Sequence, residues 1–431
     1  MRMKGKTKTI VGIATPVGFG GIGIVRLSGG QALKITGKMF TQPLKPRHAT
    51  LVTLHGDNFA DTAIAIYFPA PHSFTGDDVV EIQAHGGWHL INRIMQTAIK
   101  HGATPAEPGE FTRTAVLNGK MTLTQAESTI DLINAESDLE LQNASRLQAG
   151  ELQKILTQIE SDLVSVRAEI DAYLDYPEDL DTPAVPWTKI KQIKATINQL
   201  LATARDGQII KNGINVCLVG CPNAGKSSLF NALVQDNRSI VTNIAGTTTD
   251  TISQTITHRG LKINFIDTAG IREGDLSPIE QQGIARAKAT IKEADLLVIV
   301  VDATTRVMVD FPHDKKHLIV YNKCDLCPDV PNDGLAVSAR TGHNVARLLD
   351  TIVQMTTLSP AANGVLNLTN ERQVNELRKA EQILTTIKPD EALDKIAANI
   401  TLALGHIGKI TGSNVDEKTL DEIFSKFCLG K

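Results

Sequence analysis

The run GCPNAGKS, Gly220 to Ser227, sets two glycines, a lysine and a hydroxyl at the spacing G-x-x-x-x-G-K-S. In such a loop Gly220 and Gly225 let backbone N–H groups turn onto phosphate oxygens. Lys226 meets the β- and γ-phosphate charge, and the Ser227 hydroxyl suits Mg²⁺. Alone, the string predicts a nucleoside triphosphate and nothing finer. DTAG at Asp267 to Gly270, NKCD at Asn322 to Asp325 and SAR at Ser338 to Arg340 follow in order and choose the base. Asp325 can accept from guanine N1–H and the exocyclic amine together, a pair that adenine does not present. Asn322 and Lys323 brace that contact, and the Ser338 to Ala339 turn faces the guanine O6. Four elements in this order predict a GTP-hydrolysing domain.

The switch residues depart from the commonest pattern. GTTTD, Gly246 to Asp250, stands where a first switch places a threonine on Mg²⁺; Thr248 is the choice, with Thr247 and Thr249 as alternatives. Directly after DTAG comes Ile271, where many small GTPases carry a glutamine that orients the attacking water. An isoleucine has no group for that task. Glu273, Asp275 and Glu280 follow in the same segment and are the candidates to replace it, although each also reads as a solvated acid. Arg272 is close, yet no arginine stands obviously placed as a finger. Asn223 offers a neutral carbonyl beside the phosphates, suited to a monovalent cation that would replace an arginine's charge. It reads equally well as a turn-stabilising asparagine.

Elements must hold these groups in place. Residues 1–121 are rich in short β-like runs (TIVGIAT, GIGIVRL, AIAIYFP, DVVEIQAHGG) punctuated by Gly and Pro, which predicts an α+β domain. From Leu123 apolar residues recur at three- or four-residue steps through Ile130, Leu147, Ile159, Leu163, Val166 and Ile170, as in long amphipathic helices. DYPEDLDTPAVP stops them, and Ile190, Ile193, Ile197 and Leu200 suggest one more. The strand INVCLVG then enters the phosphate loop, and INFID, LLVIVVD and HLIVYNK alternate with helical stretches as in a doubly wound sheet. Helical texture resumes after Thr369. The expected organisation is multidomain α/β and α+β: an N-terminal domain over 1–121, and a helical domain over 122–212 and 360–431 interrupted by a Ras-like P-loop domain over 213–359.

Composition frames the partners. The chain has 431 residues, with 44 Lys and Arg against 47 Asp and Glu, so its formal charge of −3 gives no global footprint for nucleic acid. Any polyanion must be held by a local patch or by a partner. No apolar run approaches a membrane span, and the basic opening MRMKGKTK lacks a secretory h-region, so a cytoplasmic location is expected. Five cysteines in a chain this size read as reduced thiols.

GCPNAGKSSLFNAL, SIVTNIAGTTTD and DTAGIRE, with ATPVGFGGIGIVRLSG, SFTGDDVVEIQAHGG, PGEFTRTAVLNGKMTLTQAE and the terminal IFSKFCLGK, resemble the MnmE (TrmE) family of tRNA-modification GTPases over the whole chain. The resemblance implies a potassium-stimulated GTPase that forms a homodimer whose G domains pair across their nucleotides. It also implies a flavin-dependent partner, MnmG, in a heterotetramer or larger complex. Together they place an aminomethyl or carboxymethylaminomethyl group on C5 of the wobble uridine of certain tRNAs, using a tetrahydrofolate derivative (5-formyl or 5,10-methylene). Carried onto this chain, it makes Asn223, Thr242, Ile244 and Thr247 potassium ligands, and Ser227 and Thr248 Mg²⁺ ligands. It makes Glu280 the group that orients water, with Lys226 and Thr248 beside it in catalysis. The nucleotide contacts it implies run over Asn223, Ala224, Gly225, Lys226, Ser227 and Ser228, then Thr242, Asn243, Ile244, Ala245, Gly246, Thr247 and Thr248. They continue through Asp267, Thr268, Ala269 and Gly270 to Asn322, Lys323, Asp325, Ser338, Ala339 and Arg340.

For folate the resemblance points to Arg26, Glu81, Lys120 and Lys431. A pterin presents a guanidine-like edge that Glu81 can accept in bidentate fashion, while basic groups meet the glutamate tail or a formyl oxygen. Without the resemblance, Glu81 and Lys120 read as ordinary surface residues. Cys428 stands beside this inferred pocket in FCLGK. Three departures are visible: Thr249 replaces the arginine of the family's GTTRD, and Val17 and Phe19 stand where Pro and Arg are usual.

Three other patterns compete. Gly18, Gly20 and Gly23 satisfy G-x-G-x-x-G, but strand-like IVRLSG follows instead of a helix. Gly405-His406-Ile407-Gly408 matches the GXXG of a KH module, yet lies in helical texture. Cys324 and Cys327 form a CxxC without further zinc ligands. The alternative function is a regulatory GTPase of ribosome assembly or membrane remodelling, which would need an RNA-binding module or an apolar paddle. The folate-like front and the FCLGK terminus favour the enzyme.

Overall fold

The computed structural model describes residues 8–175, 185–235, 253–267, 291–327, 329–356, 364–427 and 430. Two compact units emerge: Met1–Ile130 with Leu147–Ile190 and Gln382–Lys431, and Asp131–Arg146 with Lys191–Glu381. Each has its own sheet and its own core.

In the first unit the strands are β1 (Ile10–Ile13), β2 (Phe19–Ser28), β3 (Thr50–Gly56), β4 (Phe59–Phe68), β5 (Val79–Gly87) and β6 (Thr104–Pro105). They join in the order β3-β4-β5-β2-β1-β6, antiparallel except for the β1–β6 pair. Strand side chains alternate between faces, so Val25, Leu27, Val52, Leu54, Val80, Ile82 and Ala84 enter one core. Helices α1 (Ala32–Thr36) and α2 (Trp88–Lys100) cover that face with Ala32, Ile35, Ile91, Ile94 and Ala98. The same alternation sends Arg26 and Glu81, directly paired across β2 and β5, to the opposite face. The G-x-G-x-x-G glycines Gly20 and Gly23 lie inside β2, which leaves no helix for a dinucleotide.

Helix α3 (Glu110–Leu117) precedes α4 (Leu123–Asn134) and α5 (Asp138–Gln148), within which the unit boundaries fall. In α6 (Glu151–Asp175), Leu152, Leu156, Ile159, Leu163, Val166 and Ile170 are buried at steps of three and four, and they face the helix Leu393–Thr411. Residues 405–408 are part of that second helix, which closes the KH reading. The chain's end returns to α4: Leu123 and Ala126 pack with Ile423, Phe424 and Phe427.

In the second unit, α7 (Trp187–Ala202), which belongs to this unit from Lys191 on, and α8 (Ala204–Asn212) lead to a sheet of β7 (Ile214–Val219), β8 (Ser253–His258), β9 (Leu261–Asp267), β10 (Leu296–Asp302), β11 (His317–Asn322) and β12 (Leu335–Ala336). The order is β12-β11-β10-β7-β9-β8, parallel except where β8 turns back on β9. Cores lie on both faces, as a parallel sheet requires. The start of α5 grips the β8–β9 turn. Lys262 Nζ meets Glu140 Oε1 at 2.7 Å, Leu139 N–H donates to the Gly260 carbonyl at 3.3 Å, and Thr257 donates to the Glu136 carbonyl at 3.2 Å.

Candidate functional site

The phosphate loop leaves β7 and enters α9 (Lys226–Gln235). Ligands of parallel sheets bind at such carboxyl ends of strands. Gly225 stands at φ +89°, and a Cβ there would strike the Asn322 amide. Bare backbone at this point brings the loop against the NKCD segment. Asn322, buried, donates to the Ala224 carbonyl at 2.9 Å and accepts from Ala339 N–H at 3.1 Å, so one side chain ties the NKCD, GCPNAGKS and SAR segments together. Lys226 Nζ donates to the Gly220 and Cys221 carbonyls at 2.7 and 3.0 Å. The ammonium thus lies inside the loop that would hold phosphate. Ser227 and Ser228, on the first turn of α9, are exposed.

Asp325 is held by the SAR turn. Its Oδ1 accepts from the Ser338 hydroxyl at 2.6 Å, and Ser338 Oγ in turn accepts from Thr341 N–H at 3.2 Å. The SAR turn therefore orients the carboxylate, while Arg340 is exposed. Lys323 has a left-handed backbone, φ 65°, which aims its ammonium back over the loop. It donates to the Asn223 carbonyl at 2.7 Å and to Asp302 Oδ2 at 2.6 Å.

Asp302 went unmarked in the sequence reading. It ends β10 as the last letter of LLVIVVD and holds Lys323 with a side chain only 14% exposed. Burial works to raise its carboxyl, but hydrogen bonds from Lys323 and Thr304 outweigh it and leave it at about 2. An acid closing an otherwise apolar central strand is the signal that would have found it.

Asn223 lies at φ 65° with its side chain exposed. Both readings of this residue therefore keep support: an asparagine tolerates the left-handed region, and its amide carbonyl is available to a cation. Cys221, Cys324 and Cys327 carry free thiols, and burial, with Asp325 next, pushes the Cys324 thiol up. Among the described residues no cluster of His, Cys, Asp and Glu could hold a metal. Thr242, Asn243, Ile244, Ala245, Gly246, Thr247, Thr248, Thr249, Thr268, Ala269, Gly270, Ile271, Arg272, Glu273, Asp275, Glu280, Cys428 and Lys431 lie outside the described residues, as does the side chain of Asp267.

A second set of groups stands on the open face of the first unit's sheet. Arg26 Nε donates to Glu81 Oε1 at 2.9 Å, with both side chains under a fifth exposed. The Arg26 guanidinium lies 5.3 Å from the Phe74 ring and 5.8 Å from that of Phe111. Lys120 approaches over Gly76, where its Cγ would lie 3.2 Å from an added Cβ, and Asn118 donates to the Thr75 carbonyl at 2.8 Å. Gly430, at φ +88°, sits so close to β1 that a Cβ would enter the Ile13 carbonyl, and its Cα lies 3.2 Å from where a Cβ on Gly12 would stand. Gly12 pairs with Arg26 across β1 and β2, so the chain's end arrives beside the Arg26–Glu81 pair. A carboxylate, a guanidinium and two aromatic rings suit a flat heterocycle with an amidine edge. Phe74 and Phe111 were not singled out from sequence, since lone aromatics carry no spacing signal.

Comparison with known proteins agrees across both units. The family described as "MnmE helical domain" matches residues 123–428, and that described as "GTP-binding protein TrmE N-terminus" matches 9–120. The tRNA modification GTPase MnmE of Akkermansia muciniphila is 39% identical over 98% of this chain and 99% of its own length. Those of Chloroflexus aurantiacus and Caldicellulosiruptor saccharolyticus are 39% and 37% identical over the same shares of each chain.

Proposed function

The chain belongs to the MnmE family of tRNA modification GTPases, and from that premise we propose that it couples potassium-stimulated GTP hydrolysis to folate-dependent modification of the wobble uridine, as a homodimer working with an MnmG-type flavoprotein in the cytoplasm. The observation that carries the finer reading is the Arg26–Glu81 pair between Phe74 and Phe111, with the backbone of Gly430 beside it. A purely regulatory GTPase has no use for such a face. Glu81 would accept the amidine edge of a pterin, Arg26 and the rings would bracket its plane, and Lys120 and Lys431 would meet the anionic tail. A tetrahydrofolate bound there supplies the one-carbon unit.

In the second unit Asp325 reads guanine and Lys226 neutralises the β- and γ-phosphates. Ser227 and Thr248 would hold Mg²⁺, and Asn223, Thr242, Ile244 and Thr247 a potassium ion, which supplies positive charge where an arginine finger would. Glu280 orients the attacking water in place of the missing glutamine. Support for the homodimer comes from the β1–β2 connection and the start of β2: Val17, Phe19 and Ile22 are 74, 100 and 65% exposed, a run of apolar surface that a second copy would cover. No helix among the described residues is long and apolar enough to cross a membrane.

The test is calorimetry with 5-formyltetrahydrofolate and no GTP. Stoichiometric binding is expected, weakened by Arg26→Ala and Glu81→Ala while GTP turnover survives. Absence of binding to the full chain would remove the folate chemistry, and unmodified wobble nucleosides in cells lacking the gene would support the tRNA step on its own.

A further inference from the structure

The formal charge of −3 hides a division along the chain. Asp57 is the first acidic residue, and nine Lys and Arg precede it. Residues 1–106 hold 11 Lys and Arg against 5 Asp and Glu, whereas residues 107–431 hold 33 against 42. The front of the molecule is basic and the remainder acidic.

The fold gathers several of these cations on one layer. Because α1 and α2 sink their apolar sides into the core beneath them, their other sides face solvent. On α2 the outward residues are His89, Arg93, Gln96 and Lys100, spaced four, three and four apart and therefore one stripe of the helix. On α1 Lys34 is exposed, and Lys38 follows a turn later, also exposed. Lys8 and Arg26 are paired with Glu110 and Glu81. Lys34, Lys38 and Arg93 have no acidic partner among the described residues. Asp57 meets Lys100 at 2.6 Å. Its carboxyl is held below the usual range by the Lys100 hydrogen bond and charge, with Arg93 and His101 adding to them, so cations converge there.

We propose that this helical layer, with Lys34, Lys38, Arg93 and Lys100 as its cations, is the docking surface for the phosphate backbone of tRNA. The proposal rests on the reading that tRNA is this chain's partner. A face kept only for solubility interleaves both signs, whereas of the four cations here only Lys100 has an acidic partner among the described residues. Helical RNA is recognised largely through its shape and its phosphates, which position the molecule without reading its sequence. The layer lies across the sheet from Arg26 and Glu81, so it holds the body of the RNA and leaves the reacting base to other groups.

The experiment measures binding of unmodified tRNA to the full-length protein across a series of KCl concentrations. Lys34→Ala/Lys38→Ala/Arg93→Ala should weaken binding about tenfold or more at ~0.1 M salt and flatten the log–log salt slope by roughly two to three, the loss expected for three phosphate contacts. GTP turnover without RNA should stay unchanged. Lys34→Ala/Lys38→Ala, which touches only exposed side chains, should show the same trend at smaller size and guards against misfolding through half-buried Arg93. The charge-conserving set Lys34→Arg/Lys38→Arg/Arg93→Lys should bind like the parent. Parent-like affinity and slope in both alanine sets would overturn the proposal, as would equal loss in the charge-conserving set. Absence of tRNA binding by the unaltered protein would instead take down the RNA reading beneath it.

Discussion

At the scale of single residues, Asp325 and Asn223 separate base reading from phosphate chemistry. Asp325→Asn removes a charged acceptor of two hydrogen bonds at roughly 1.5 to 3 kcal/mol each, so GTP affinity should fall steeply and xanthosine triphosphate should be preferred. Competition of the two nucleotides for the variant measures this, and unchanged GTP affinity would remove the base assignment. For Asn223 the left-handed backbone dictates the substitution: alanine at φ 65° adds strain of about 1 kcal/mol or more, which would be mistaken for a lost ligand. Asn223→Gly keeps the turn and deletes only the amide. It should abolish the advantage of potassium over sodium in turnover and leave Mg²⁺-dependent GDP binding near that of the parent. Equal rates in the two salts for the unaltered protein would remove the cation from the mechanism.

Asp302 adds a pH dependence with a definite sign. Its carboxyl sits at about 2, below an unfolded value near 3.9, so its contribution to stability is present above the unfolded value and is lost as pH falls toward 2. Asp302→Asn should remove that part of the acid transition and loosen GDP, since Lys323 would lose the anion that holds it against the Asn223 carbonyl. In a Lys323→Met background the effect on GDP should vanish, because Asp302 reaches the loop only through that ammonium. Asp325 and Lys226 stood out as candidates because their motifs fix their spacing. Asp302 did not: its role depends on β10 and β11 lying side by side with Asp302 opposite Asn322, a register no local pattern records.

At the scale of elements, periodicity carried far. The three-and-four spacing of α6 and the alternation in β5 follow from helix and strand geometry, and both are plain in the letters. What the letters conceal is which elements meet. The grip of α5 on the β8–β9 turn joins residues more than a hundred positions apart, and its centre is Lys262 with Glu140, 11 and 9% exposed. Removing one partner of such a buried pair leaves a charge without compensation, so Lys262→Ala should cost roughly 3 kcal/mol. Lys262→Met with Glu140→Gln, which removes both charges and keeps an acceptor for the Glu136 and Ser137 N–H groups, should restore most of it. Hydrogen exchange of the β8 and β9 amides would read the local loss; unchanged protection in Lys262→Ala would mean the turn is held by the Leu139 and Thr257 contacts alone.

At the scale of the molecule, each compact unit carries a core and a candidate ligand of its own, and the chain passes between them several times. A ligand that binds only the folded form stabilises what it binds by RT ln(1 + [L]/Kd), about 2.7 kcal/mol at a hundredfold excess over Kd. If Arg26 and Glu81 hold folate and Asp325 reads guanine, the two ligands should protect different stretches. Folate should slow exchange in β2, β5 and the start of α3. GDP should slow it around Gly220 to Ser228 and from Asn322 to Ala339. Each should do so with the other absent, because neither constellation borrows a described side chain from the other. Peptide-resolved hydrogen exchange with each ligand alone decides the matter: GDP protecting β2 and β5 as strongly as the phosphate loop would mean that the two sites share one cooperative unit. Folate protection confined to the second unit would move the folate site away from Arg26 altogether.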